Sequence, residues 1–173
     1  FIQKILKRIN QNMIYDFDDA LQALEKGFLS RFINMLRESK LVIVENNFNK
    51  NFVLQYNSNV KILTGPIDID RYKPKDNRFS DTKVSLGWIG SPSTSIYLQD
   101  LTVVFANLQK KYPNLVIKTI GAGNFYIPGA NIVCQEWNLE TEVEYLQNLD
   151  IGIMPLKDDE ISKGKGGYKL LQY

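Results

Sequence analysis

The chain has 173 residues, 44% of them hydrophobic and 23% charged, ordinary values for a folded globular protein of one domain or two small ones. Lysine and arginine number 21 against 19 acids, a net charge of +2, too balanced to suggest nucleic-acid binding by bulk charge. A single cysteine, Cys134, allows no internal disulfide, and the absence of histidine excludes a Ser-His-Asp triad, a Cys-His pair and a His-ligated zinc within this chain.

Phe1 to Ile9 carries apolar residues at 1, 2, 5, 6 and 9 with Lys4, Lys7 and Arg8 opposite. That spacing predicts an amphipathic helix, packed on a domain or lying on a membrane surface. A short strand is expected over Asn12 to Tyr15, then a helix over Ala20 to Lys40. Leu41 to Val44 reads as a buried strand. Asn49 is the expected cap of a helix running to about Tyr56. Val60 to Leu63 is a further strand. No apolar run approaches the roughly 18 residues of a transmembrane helix.

From Asp68 to Thr82 the composition turns polar and charged, with Arg71, Lys73, Pro74, Lys75, Asp76, Asn77 and Arg78. This reads as an interdomain linker. A cleaner rhythm follows. Val84 to Ile89 is a strand, Gly90 to Ser95 a loop of small residues, and Leu101, Val104, Phe105 and Leu108 mark one helix face. Leu115 to Ile120 is a strand ended by Gly121-Ala122-Gly123. Ile132 to Cys134 is a short strand in which Cys134 is expected to be buried. Asn138 is the expected cap of a helix over Leu139 to Leu149, and Ile151 to Met154 is a strand. Strands alternating with helices, without two-residue hairpin turns, predict an α/β fold of Rossmann-like parallel β/α units. The run Tyr168 to Tyr173 reads as the opening turns of a helix, without a stop signal. With Phe1 at the start, the expectation is an internal piece of a longer protein.

In open α/β sheets ligands lie beyond the carboxyl ends of the strands, so the loops there carry the candidate sites. In Gly90-Ser91-Pro92-Ser93-Thr94 a glycine, three hydroxyls and a following helix start could cradle a phosphate. The same residues also suit a simply capped βα turn. The stretch lacks both the P-loop ending and the Gly-x-Gly-x-x-Gly pattern. Lys163 to Lys169 holds three lysines and three glycines, including Lys165, Gly166, Gly167 and Lys169. It is either an anion-binding loop or a flexible basic one. Trp137, just past a strand, could stack on a nucleobase or pack as a half-buried side chain. Asp16-Phe17-Asp18-Asp19 could bind a divalent cation through Asp16 and Asp18, or supply a helix cap with acidic first-turn residues. Asp158, Asp159 and Glu160 read as a solvated acidic loop.

Several stretches resemble the GT-B glycosyltransferases called group 1, or family 4. They are Gly87 to Thr94, Asp150 to Leu156 and Lys163 to Tyr173 in the second half, with Ile14 to Ala20 and Pro66 to Pro74 in the first. The resemblance implies residues 1–66 as part of an acceptor domain, 67–82 as linker and 83–173 as part of a nucleotide-sugar-binding domain. It implies a retaining glycosyltransferase that moves a sugar from a nucleotide-diphosphate sugar to a glycan or lipid-linked acceptor. No cofactor or metal is implied, and the setting is the cytoplasm or the inner membrane face. Gly90, Ser91, Ser93, Thr94, Lys165, Gly166, Gly167 and Lys169 then fall at the donor diphosphate, and Trp137 and Gln172 at the nucleoside. Gln172 and Gly164 fall where the family carries the two acids of a Glu-x7-Glu pattern, so both acids are replaced here. A metal-dependent GT-A type transferase using Asp16 and Asp18, and a non-catalytic GT-B-like domain that binds a nucleotide or partner, are the alternatives. The catalytic residues are not among those the sequence points to.

Overall fold

A computed structural model describes residues 9–23, 26–75 and 82–173. The expected helix over Phe1 to Ile9, with Lys4, Lys7 and Arg8, falls almost wholly outside the described residues, as do Asp76, Asn77 and Arg78 of the linker. The chain divides into two compact units. One comprises the described residues up to Pro66 together with Lys157–Gly166, the other Ile67–Leu156 together with Gly167–Tyr173.

The first unit is built on a parallel sheet of β1 (Ile14–Phe17), β2 (Leu41–Val44) and β3 (Val60–Ile62), in the order β1-β2-β3. The register sets Ile14 against Leu41 and Val42 against Val60. The helical period after Asp19 resolves into a short turn, Leu21–Ala23, and helix α1 (Lys26–Glu38). From α1, Phe32 and Leu36 are fully buried against Phe17, Val42, Val44, Val53 and Val60. Phe32 meets Phe17 edge-on at 5.2 Å and stacks on Phe52 at 5.9 Å. Such aromatic pairs add to what apolar burial alone contributes.

Helix α2 (Asn47–Val53) is capped by Asn46 rather than Asn49. Asn46 has the extended backbone a cap requires, and its side chain accepts the Asn49 amide at 2.9 Å. Asn49 is fully buried instead. Its amide nitrogen donates to the Gly164 carbonyl at 3.0 Å and its oxygen accepts from Gln22 at 3.2 Å. The Asp158-Asp159-Glu160 run is more than a solvated loop, because Asp159 caps a one-turn helix (Glu160–Lys163) through the Ser162 amide at 2.7 Å. That bond lowers the pKa of the Asp159 carboxyl.

The second unit holds β4 (Val84–Ile89), β5 (Leu115–Ile120), β6 (Ile132–Gln135) and β7 (Ile151–Gly152), all parallel, in the order β6-β5-β4-β7. Strand alternation buries both faces. Trp88 and Ile117 point into one cluster with Leu98, Phe105 and Ile127, while Ile89 and Ile120 point into another with Leu146. Helix α3 (Ile96–Gln99) and helix α4 (Thr102–Lys111) connect β4 to β5. Phe105 is buried, and Leu101 and Leu108 pack on the core. Val104, expected on the same face, is 48% exposed, at the edge of the stripe.

Three further expectations shift. Cys134 is exposed rather than buried, because β6 is the edge strand, and its thiol donates to the Phe125 carbonyl. Asn138 accepts the Glu140 amide in a turn at 2.8 Å, and the helix that follows, α5, covers only Glu142–Gln147. Strand β7 stops at Gly152, although Ile153 still donates to Gly87. The next rung is taken by a side chain, since the Tyr173 hydroxyl accepts the Ile89 amide at 3.2 Å and donates to the Ile153 carbonyl at 2.9 Å. Tyr173 follows the last helix, α6 (Tyr168–Gln172), and burial pushes its phenol up to about 12. In this strand order the direction of winding reverses between β4 and β7, so the crevice at their carboxyl ends is where an open α/β sheet receives a ligand. Among the described residues no helix is long and apolar enough to cross a membrane.

Candidate functional site

The carboxyl edge of the second sheet begins at Gly90. Its amide donates to the Ile120 carbonyl at 2.9 Å, so it is committed to the sheet rather than offered to a ligand. Glycine is required there by crowding. A Cβ would sit 2.4 and 2.5 Å from ring carbons of Trp88 and 2.8 Å from the Lys169 ammonium. Lys169, distant in sequence, therefore arrives beside Gly90, with its ammonium 4.8 Å from the Trp88 ring centroid. A cation over an indole face is electrostatically favoured.

Within the stretch expected as a loop, Gly90 is followed by a three-residue 3-10 turn, Pro92–Thr94. Ser91 precedes it with extended backbone and makes no capping bond through its side chain. Its hydroxyl lies 2.9 Å from that of Ser93 and 3.2 Å from that of Thr94, and Thr94 also donates to the Ser91 carbonyl. The hydroxyls form one linked, solvent-facing group.

Gly121 ends β5 in the left-handed region at φ +77°, a conformation that favours glycine. A Cβ there would lie 2.4 Å from the Gly90 carbonyl oxygen and 3.2 Å from the Trp137 Cβ. The loops after β4, β5 and β6 thus close on one another. Trp137 is 52% exposed, neither buried packing nor fully solvated. Its indole N–H donates to the Glu142 carboxylate.

Glu142, at the start of α5, is the residue that sequence reasoning missed. It is 5% exposed, and four side chains gather around it. Trp137 donates to one oxygen. Tyr72 donates to the other, and Gln172 approaches the same oxygen at 3.3 Å. The Arg71 guanidinium is 3.9 Å away and donates to the Leu139 carbonyl at 2.6 Å. Burial, and then the bond to Glu142, raise the Tyr72 phenol above its ordinary value. The only sequence cue was an acidic residue in a helical first turn, which usually serves the helix dipole.

The glycine- and lysine-rich stretch is divided. Gly167, at φ +77°, and Lys169 belong to the second unit. Lys165 and Gly166 belong to the first, where Lys165 lies 3.7 Å from Asp19 and a Cβ on Gly166 would overlap the Glu45 carboxylate. The Asn46 side-chain amide donates to the carbonyls of Lys163, Gly164 and Lys165. Asp16 lies within β1 and Asp18 just beyond it. Burial, and next the charge of Asp18, raise the pKa of Glu45. Among the described residues no group of three or more His, Cys, Asp or Glu is placed to hold a metal ion.

A cavity of about 890 Å³ opens elsewhere in the second unit, lined by Val84, Ser85, Val116, Asp150 and Lys118 among others. Gly90, Trp137 and Lys169 do not line it, whereas Tyr72, Gln172 and Tyr173 do.

No family model matches the chain, and no curated protein matches it either. Its fold is similar to that of a mutant of S. aureus TarM, solved in complex with Fondaparinux, alpha-GlcNAc-glycerol and UDP. The TM-score is 0.62 at 13% identity, over 87% of this chain. The chain spans 34% of the length of that protein. The likeness is one of fold, an α/β architecture of Rossmann-like parallel units.

Within that architecture the second unit brings Gly90, Lys169, Trp137 and Gln172 to one edge of one sheet. Chemically the edge offers one ammonium, a linked group of hydroxyls, a half-exposed indole and a carboxamide. Those are the parts needed to hold a phosphate, an aromatic ring and a polyol.

Proposed function

We propose that this chain carries the nucleotide-binding end of a retaining GT-B glycosyltransferase that uses a nucleotide-diphosphate sugar and a glycan or lipid-linked acceptor. The convergence of Lys169 on Gly90, beside Gly121 and Trp137, carries the reading. In it the Lys169 ammonium faces the diphosphate and offsets the charge that grows as the sugar leaves. The hydroxyls of Ser91, Ser93 and Thr94 donate to phosphate oxygens, and Gly167 keeps the start of α6 open to it. Trp137 stacks on the base, and the Gln172 carboxamide meets the ribose. UDP in the TarM structure makes uracil the first base to try. The reaction needs no cofactor, and the expected setting is bacterial surface-glycan synthesis in the cytoplasm or at the inner membrane face.

The test is a titration of the protein with UDP, GDP, ADP and TDP, first with Mn²⁺ and then with EDTA. Saturable binding of one diphosphate that survives EDTA and is lost in Lys169→Met supports the proposal. Binding that requires Mn²⁺ and is lost in Asp16→Asn overturns it in favour of a metal-dependent GT-A transferase. Binding without turnover would leave a nucleotide-binding domain instead of an enzyme.

A further inference from the structure

We infer that Glu142 is a positioning residue of this site, fixing both Trp137 and Gln172 for the nucleoside through the two oxygens of one buried carboxylate. The inference rests on the nucleotide-binding reading above and adds to it the device that holds the site open.

A buried carboxylate is costly unless its lone pairs are used. Glu142 is 5% exposed, and both its oxygens are engaged. One takes the indole N–H of Trp137. The other takes the Tyr72 hydroxyl and the Gln172 amide, with Arg71 at 3.9 Å supplying a cation. Gln172 also donates to the Tyr72 oxygen at 3.1 Å. These partners come from the residues after Pro66, the loop after β6 and the end of α6.

With its donor tied to Glu142, the half-exposed Trp137 holds one ring plane. Its backbone side is closely approached as well, since a Cβ on Gly121 would come within 3.2 Å of the Trp137 Cβ. Gln172 has its amide nitrogen anchored inward, which turns its carbonyl oxygen into the group left for a ligand. A stacking platform and a hydrogen-bond acceptor are thereby preset before a nucleotide arrives, which lowers the ordering cost of binding. Glu142 itself is assigned no contact with the ligand, since it is buried beneath the residues it holds.

Glu142→Gln keeps the shape but can accept on only one oxygen, and it turns an N–H₂ toward another donor. UDP affinity is expected to fall about tenfold, in line with loss of a hydrogen bond to a charged group. The indole N–H resonance of Trp137, protected from solvent exchange in the wild type, is expected to exchange freely in the variant. In a Trp137→Phe background the same change is expected to cost less than about twofold, since coupled residues are non-additive. A purely structural role would leave that coupling at zero and lower affinity and melting temperature in step. Should Glu142→Gln fail to fold, the wild-type indole resonance still decides. It must be protected in the free protein and shift on UDP addition, and a freely exchanging indole overturns the inference. Wild-type protein that binds UDP alongside a variant of equal affinity overturns this inference alone. Failure of the wild type to bind any diphosphate overturns the nucleotide reading, and this inference with it.

Discussion

Gly90→Ala probes the packing and the site at once. The added carbon would lie 2.4–2.5 Å from two ring atoms of Trp88, where carbon atoms ordinarily sit about 3.5–4.0 Å apart. Something must move by about 1 Å. Trp88 cannot yield cheaply, because it is 2% exposed and wedged among Leu98, Phe105 and Ile117. Overpacking of that kind costs about 1–3 kcal/mol. Taking about 2 kcal/mol, and a unit of roughly 100 residues, the melting temperature should drop by about 8–16 °C. The Lys169 ammonium, 2.8 Å from the new carbon, is displaced as well. Differential scanning calorimetry gives the first number and calorimetric UDP titration the second. Lys169→Met separates the two effects, since it removes the charge without adding a carbon at Gly90. It should abolish UDP binding while moving the melting temperature far less. A Gly90→Ala protein melting within about 2 °C of wild type would refute the packing of Trp88 beneath Gly90, and with it the placement of Lys169.

Tyr173→Phe strands the Ile89 amide and removes the rung between β4 and β7; about 1–3 kcal/mol should be lost by urea denaturation. The folded phenol sits at about 12 against an ordinary 10.0. A raised phenol pKa means that the neutral form is the one the fold favours, so its contribution is complete below about pH 10. It should fade between about pH 10 and 12 in the wild type but not in Tyr173→Phe. Glu45 has a raised pKa, from burial first and the Asp18 charge next, so its ionised form opposes folding. Glu45→Gln should therefore stabilise at neutral pH, and the gain should vanish as pH falls through the folded pKa toward the ordinary glutamate value, followed by melting temperature against pH. Asn49→Ala removes a fully buried side chain that bonds Gly164 and Gln22. Loss of about 2–4 kcal/mol is expected by denaturant titration, with hydrogen exchange rising at residues 162–166.

The strands were legible because their signal is local. Leu41–Val44, Val84–Ile89 and Leu115–Ile120 are short apolar-rich runs bounded by polar or turn residues, and their bounds match the structure. Helix caps were less so. Asn46 and Asn49 offer the same side chain three residues apart, and only the tertiary demand for a buried donor facing Gly164 decides which one caps. Cys134 misled for a similar reason, since burial of a short apolar strand depends on whether it lies at the sheet edge. The Lys163–Lys169 stretch read as one loop, yet Asn46 holds its first half and the Gly90 crowding draws in its second.

The site itself shows where local reading stops. Gly90, Trp137, Lys169 and Gln172 could be proposed singly, each from its residue type and its place after a strand. Their joint meaning depends on Glu142, whose partners lie at positions 71, 72, 137 and 172. A carboxylate in the first turn of a helix has a sufficient local explanation in the helix dipole, so nothing in its neighbourhood marks it. What does mark it is an energetic inconsistency visible only in three dimensions, a buried charge that must be offset by donors from distant segments. The segments that supply those donors also carry the indole and the carboxamide of the proposed nucleoside pocket. Removing the charge should therefore disturb the pocket first, and reach the sheet only through Tyr72 and Leu146, which pack at the Ile89-Ile120 cluster.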